Sequence, residues 1–224
     1  MNMSKNIKFS FLFFVLLYLV SLSIFDGVLW LLKIIPIALL AVGVMNTVPS
    51  STRNILLLAL FFSGCGDLLL AFDVFIFGVA AFLIAQLSYA VLFGHHWQGI
   101  HSRWPLSVLL IMYMLSMVWL LIPNLGNLQF PVMVYLLAIA AMGLMALHSS
   151  LPMRWGVLGA IMFIISDSFI AINKFVNPLP YESYWIMSTY YAAQFMMVTG
   201  LLISARQQKK SIPFSKKSRQ IKRH

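Results

Sequence analysis

The chain has 224 residues, of which 62% are apolar and only 9% charged, with a mean hydropathy of +0.94. Soluble domains are near half apolar and a quarter charged, so this composition belongs to the membrane class and leaves no length for a separate soluble catalytic domain. The net charge of +10 is concentrated at the C-terminus, and the single cysteine, Cys65, excludes an intramolecular disulfide.

In chain order, Lys5 and Lys8 precede an apolar run that no small-residue cleavage site closes, which reads as an uncleaved first helix. Turn chemistry then punctuates the sequence at Asp26-Gly27, Pro49–Ser51, Asp73, the His95–Arg103 segment, Pro123-Asn124, Ser149–Pro152 and Asn177–Pro180. Between these breaks lie eight expected spans, at 8–25, 29–48, 54–72, 75–94, 104–122, 131–148, 155–173 and 184–204. The fold class expected is therefore all-α, a polytopic membrane bundle of about eight transmembrane helices over residues 1–204. A basic cytoplasmic tail follows at 205–224. Trp97, Trp104, Trp155 and Trp185 fall near span ends, as interfacial aromatics do.

With the N-terminus inside, Lys5, Lys8, Arg53, Arg103, Arg154 and the eight basic residues of the tail share one side, and only Lys33 and Lys174 lie on the other. The positive-inside rule then places both termini in the cytoplasm of an integral, multi-pass protein of the cell membrane, or of the inner membrane in a bacterium. The tail reads as a topology anchor attracted to anionic lipid. Nothing in the chain supplies the base-stacking or groove-reading elements of a nucleic-acid binder, and nothing calls for an obligate protein partner.

Two of the five acidic residues are placed where they cost most. Asp67 lies in ILLLALFFSGCGDLLLAF and Asp167 in WGVLGAIMFIISDSFIAIN. A carboxylate at bilayer depth costs roughly 3 kcal/mol on insertion scales, so each marks a functional site. Asn or Ser would tie helices together at lower cost. Asp67 shares a helical face with Ser63, Gly64 and Ala71, small residues that let another helix approach. Asp167 follows Ser166 and shares a face with Ala171 and Lys174. Gln86 and Tyr89 lie on the fourth span, Tyr190 and Gln194 on the eighth, and Lys33 and Pro36 near the outer end of the second. Polar groups from five helices could thus converge on one cavity, although Gln86, Tyr89 and Tyr190 also suit plain interhelical hydrogen bonding. The pair Gly66/Ser166 before each Asp and Ala71/Ala171 after it matches at too few positions to establish a repeat. Asp26 and Asp73 read as solvated turn residues, Glu182 as a loop charge, and His95, His96 and His101 as a solvated loop rather than a metal site.

Taken together, Gly64–Leu70, then Gly78, Phe82, Gln86 and Tyr89, then Gly159, Phe163–Ser168 and Asn173, then Thr189–Gln194, resemble the YhhN family, and Lys33–Pro36 matches its early Lys/Pro element. The resemblance covers about 30–204. It implies lysoplasmalogenase activity, hydrolysis of the vinyl ether of a lysophospholipid, with Asp67 and Asp167 as the catalytic pair and no cofactor or metal. Lys33, Ser63, Gln86, Tyr89, Ser166, Asn173, Lys174, Tyr190 and Gln194 are the substrate-binding candidates. Gln86 departs from the family, many members of which carry His there. The residues suit the chemistry on their own account. Vinyl ether hydrolysis needs one carboxylic acid to protonate carbon and one carboxylate to activate water, and paired buried carboxyls can divide those roles. Lys33 or Lys174 could hold the phosphate. The alternative from another class is a proton-coupled transporter that relays protons through the aspartates. Such a protein would carry matched helix breaks in both halves, and Pro36 has no counterpart in the sixth span.

Overall fold

The computed structural model describes residues 3–24, 29–45, 47, 50–100 and 103–211. Eight α-helices follow one another: α1 Lys5–Ser21, α2 Trp30–Met45, α3 Ser50–Ala71, α4 Phe75–Gly94, α5 Trp104–Leu121, α6 Gln129–Leu147, α7 Leu158–Phe175 and α8 Glu182–Ser211. Each expected span is one of these helices, displaced at its ends by a few residues, except that α8 continues past 204 to Ser211. Asp26, His101 and the tail beyond 211 lie outside the described residues.

Helices dominate because hydrocarbon offers the backbone no partners, and only intrahelical bonding satisfies every N–H and C=O. Among the described residues, six stretches are long and apolar enough to cross a membrane, the shortest being Thr52–Ala71 and Phe75–Gly94 with 20 residues each. These make the chain a multi-pass membrane protein. Helices α1 and α2 have 17 and 16 residues. At 1.5 Å per residue each is about 25 Å long, a little under the ~30 Å hydrocarbon thickness.

Packing does not simply follow chain order. Helix α3 lies between α2 and α4, α4 packs on α6, and α8 packs on α7 with α1 and α2 beside it. Helix α5 is peripheral: 17% of its spanning window is buried, against 39–56% for the other five long spans. In the turn that Pro36 opens, the carbonyl of Lys33 accepts a hydrogen bond from the Tyr191 hydroxyl of α8 at 2.7 Å. Pro36 leaves the carbonyl of Leu32, four residues earlier, without its intrahelical donor, so the Tyr191 bond ties α2 to α8 beside that break rather than at it.

At the end of the bundle opposite Asp73, the loops before α5 and α7 are clasped. Trp97 pairs with Ser149 in an isolated β-bridge, Gln98 N donates to His148 O at 2.9 Å, and Ser150 N donates to His96 O at 2.8 Å. Arg103 donates to the carbonyls of Leu147 and Ser149 at 2.9 and 3.3 Å. His96 is buried, with Nδ1 3.1 Å from Ser204 Oγ, so it differs from the solvated-loop expectation, while His95 stays exposed. The loop's carbonyls and amides need partners near the membrane and find them in each other and in Arg103, while the His96 ring turns to Ser204 of α8.

Close approach between helices is made by glycines other than the one expected. A Cβ on Gly64 would meet nothing nearer than Ile34 at 4.0 Å. On Gly200 it would come within 2.8 Å of Gly156 N, and on Gly159 within 2.9 Å of Met197 N, so α8 touches α7 and its lead-in backbone to backbone. Gly200→Leu should therefore destabilise the bundle by about 1–3 kcal/mol through overpacking. Thermal unfolding in detergent should show a lower Tm for Gly200→Leu and no loss for Gly64→Ala. Equal melting of Gly200→Leu and wild type would contradict this packing.

Candidate functional site

Helix α3 carries Asp67 and α7 carries Asp167, and the packing of α2, α4 and α8 around them leaves a cavity of about 430 Å³ lined by both. Lys33, Ser166, Asn173, Lys174 and Tyr190, all expected site residues, line it too. Asp73, Glu182 and Ser183 line its mouth, between the α3–α4 turn and the start of α8. Asp73 adopts a left-handed conformation (φ 58°) that closes α3, where Val74 N donates to Leu69 O at 2.9 Å. Glu182 is half-buried in the first turn of α8, a placement the positive helix terminus favours over a free loop.

Asp67 is 3% exposed. Its Oδ1 lies 3.8 Å from Lys33 Nζ, which also donates to the Asp67 carbonyl at 3.3 Å. Among the described residues this is the only salt bridge, and Lys33 is itself half-buried. Burial makes the pairing consequential, because an isolated charge at this depth would be prohibitive. Oδ2 of Asp67 has no hydrogen-bond partner, and the Tyr190 hydroxyl lies near Asp67 and Gln194 without closing a bond of ordinary geometry to either. The open oxygen and the open hydroxyl both belong to residues that line the cavity.

The surroundings of Asp167 are different. Its Oδ2 accepts a short hydrogen bond from the Tyr135 hydroxyl of α6, and Tyr135 in turn accepts from Gln86 Nε2 at 3.4 Å. No cation lies within salt-bridge distance of Asp167 among the described residues. Both carboxyls line the same cavity. Asp167 also borders a second, narrow apolar pocket that shares Leu70, Phe75, Phe82 and Ile170 with the main cavity. Phe82 walls both spaces because Gly66, just before Asp67, has no side chain to displace its ring.

Four expected site residues do not line the cavity. Ser63, Tyr89 and Gln194 form a buried relay behind Asp67: Tyr89 OH donates to Gln194 Oε1 at 2.5 Å, and Gln194 Nε2 donates to Ser63 Oγ at 3.0 Å. Gln86 stands behind Tyr135. Of those that do line it, Ser166 spends its hydroxyl on Ile186 O at 2.9 Å, and Asn173 Oδ1 holds the loop to α8 by accepting from Leu179 N at 2.8 Å. Lys174 is exposed, its ammonium 4.7 Å from the centroid of Phe75. Tyr135 was not among the expected residues, although it is the only polar side chain between Gln129 and His148. Tyr18 of α1 also lines the cavity unforeseen. Among the described residues no group of three or more His, Cys, Asp or Glu could hold a metal ion.

Comparison with known proteins supplies the family. The chain is 35% identical to lysoplasmalogenase TMEM86A of Bos taurus over 176 residues, covering 72% of this chain and 70% of the relative. It is 36% identical to a lysoplasmalogenase of Mycobacterium bovis over 161 residues, 66% of this chain and 60% of that protein. It is 33% identical to human lysoplasmalogenase TMEM86B over 177 residues, 78% and 75% of the two chains. No solved structure is a significant match. The YhhN family model matches residues 28–201, a stretch that takes in both aspartates, helices α2 to α7 and the first two thirds of α8, and the chain belongs to that family.

Proposed function

We propose that this protein is a membrane-embedded lysoplasmalogenase, hydrolysing the vinyl ether of lysoplasmenylcholine or lysoplasmenylethanolamine to a fatty aldehyde and the corresponding glycerophospho-alcohol. One observation carries the reading: two carboxyls share a cavity, a buried one beside a cation and a half-buried one that accepts from a neutral hydroxyl. The relatives named lysoplasmalogenase support the choice of substrate. The two environments support a division of roles: Asp67, facing Lys33, serves as the carboxylate, and Asp167, against apolar walls with no cation within salt-bridge distance, serves as the acid.

In the first step Asp167 gives its proton to the second carbon of the alkenyl chain, and the first carbon becomes an oxocarbenium ion. Asp67 then takes a proton from water as the water oxygen bonds to that first carbon, giving a hemiacetal. In the collapse Asp67 returns its proton to the glycerol oxygen and the hemiacetal hydroxyl passes its proton to Asp167. The C–O bond breaks, the aldehyde leaves, and both carboxyls regain their starting forms. Tyr135 fixes Asp167 by one oxygen so that the other is free to transfer the proton. At the mouth, Lys174 takes the phosphate and Asp73 with Glu182 faces the headgroup amine. The asymmetry of the basic residues supports cytoplasmic termini and, with them, a mouth at Asp73 and Glu182 on the opposite side.

Asp67→Asn and Asp167→Asn should each reduce kcat on the order of 10²-fold or more. The double variant should be little worse than the worse single, since the pair acts as one unit. Because Lys33 serves Asp67, Lys33→Met should lower kcat, whereas Lys174→Met should raise KM. Aldehyde release by purified protein is the readout, and folded Asp variants with near-wild-type turnover would reject the paired-carboxyl mechanism.

Carbon protonation leaves a mark in the product. Hydrolysis in D2O should place one deuterium on the carbon next to the aldehyde, read by mass spectrometry after immediate trapping. An unlabelled aldehyde would mean that carbon is not protonated from a solvent-exchangeable acid.

Topology is tested separately. A reporter fused after His224 should be active in its cytoplasmic form alone, and activity of a reporter that works only outside the cytoplasm would reverse the orientation.

A further inference from the structure

The narrow apolar pocket beside Asp167 abuts a longer groove. It shares Met114 and Leu136 with a space of about 180 Å³ between α5 and α6, lined only by apolar side chains. On α6 that groove runs from Met133 to Leu144, about 16 Å at 1.5 Å per residue. Leu115 and Leu137 on its walls are 61% and 69% exposed, so it faces the lipid. The pocket itself holds only about 50 Å³ of free space. Its α5 wall is formed by Met114 and Met117, however, unbranched side chains that repack at low cost, and α5 is the least buried of the long helices.

From this seam, and resting on the reading above as a lysoplasmalogenase, we infer that the groove and pocket together form the binding track for the substrate's 1-alkenyl chain. The chain enters sideways from the bilayer between α5 and α6 and ends beside Asp167. The polar headgroup then occupies the main cavity, and the vinyl ether, which lies between headgroup and hydrocarbon, falls at the one residue of the catalytic pair that borders both spaces. A hydrocarbon chain gains little by leaving lipid for an equally apolar groove. The track therefore acts by placing the reacting carbon rather than by tightening binding, and it should read chain length.

Two substitutions narrow the track at different depths. Ala171→Phe fills the pocket near Asp167, and Ala140→Phe fills the groove. Each should cut kcat/KM for a 1-hexadecenyl lysolipid more than for a 1-hexenyl one, shifting the ratio by about tenfold for Ala171→Phe and less for Ala140→Phe. Activity on the short chain reports that the variant is folded. An unchanged ratio in both variants overturns the track. A binding measurement separates this inference from the enzymatic reading. A non-hydrolysable lysophosphatidylcholine with a diazirine at its chain end should label wild-type α5 and α6 around Leu110 and Leu144, and excess unlabelled lysolipid should suppress the labelling. If the labelling holds but wild type releases no aldehyde, the hydrolase reading fails and the track stands. Labelling elsewhere, or labelling that lysolipid cannot compete away, is contact with bulk lipid or a second copy of the chain and overturns the track.

Discussion

The ion pair between Lys33 and Asp67 is the interaction on which the arrangement of this bundle depends. Each partner alone would be ruinous at this depth, and together they remain costly unless surrounding groups complete their hydrogen bonding. The chain supplies that completion from distant segments. Lys33 also reaches the Asp67 carbonyl, and its own carbonyl is held by Tyr191. Helices α2, α3 and α8 are thereby fixed to one another at the level of the carboxylate. A second set, Tyr89, Gln194 and Ser63, ties α4 and α8 to α3 one turn behind. Interhelical bonds of this kind average only ~0.6 kcal/mol each, so their value lies in fixing the register at which α3 presents Asp67.

The two aspartates have identical side chains and different neighbours. Asp67 meets a cation and small residues; Asp167 meets a tyrosine, phenylalanine rings and aliphatic walls. Tyr135 is itself held by Gln86, so the residue at the position where many family members carry His reaches Asp167 only through a phenol. A side chain placed there has no direct contact with the main cavity, which suits a positioning role and tolerates the exchange of one hydrogen-bonding group for another.

Much of the bundle was legible in the sequence because hydrocarbon imposes a single rule. Long apolar runs must be helices, their breaks must carry turn residues, and ionisable groups within them must face inward. That logic found the eight helices and the convergence of Asp67, Asp167, Lys33, Lys174 and Tyr190 on one cavity. It could not separate residues that line the cavity from those behind it, because Gln86 and Gln194 look alike until neighbouring helices are placed. It passed over Tyr135, since a lone tyrosine in an apolar helix is ordinary at a membrane interface and this one differs only by facing Asp167. It also chose Gly64 over Gly66 and Gly200. Small residues are common on every face of these helices, and only the packing of α4 on α3 and of α8 on α7 decides which are needed.

A lysolipid presents an enzyme with a mismatch: a charged headgroup and a hydrocarbon chain joined through the bond to be broken. A purely aqueous cleft would leave the chain exposed, and a purely apolar one would strand the phosphate. The bundle meets both demands by placing its polar mouth between the α3–α4 turn and the start of α8, and its apolar seam beside loosely packed α5. Asp167 sits where the two meet and Asp67 only in the polar part. That asymmetry matches the order of the proposed chemistry, in which the proton goes first to carbon on the hydrocarbon side and water arrives afterwards from the polar side. Carbon protonation is the slow demand of this reaction, and a carboxylic acid held against an apolar wall meets it with little competing solvation.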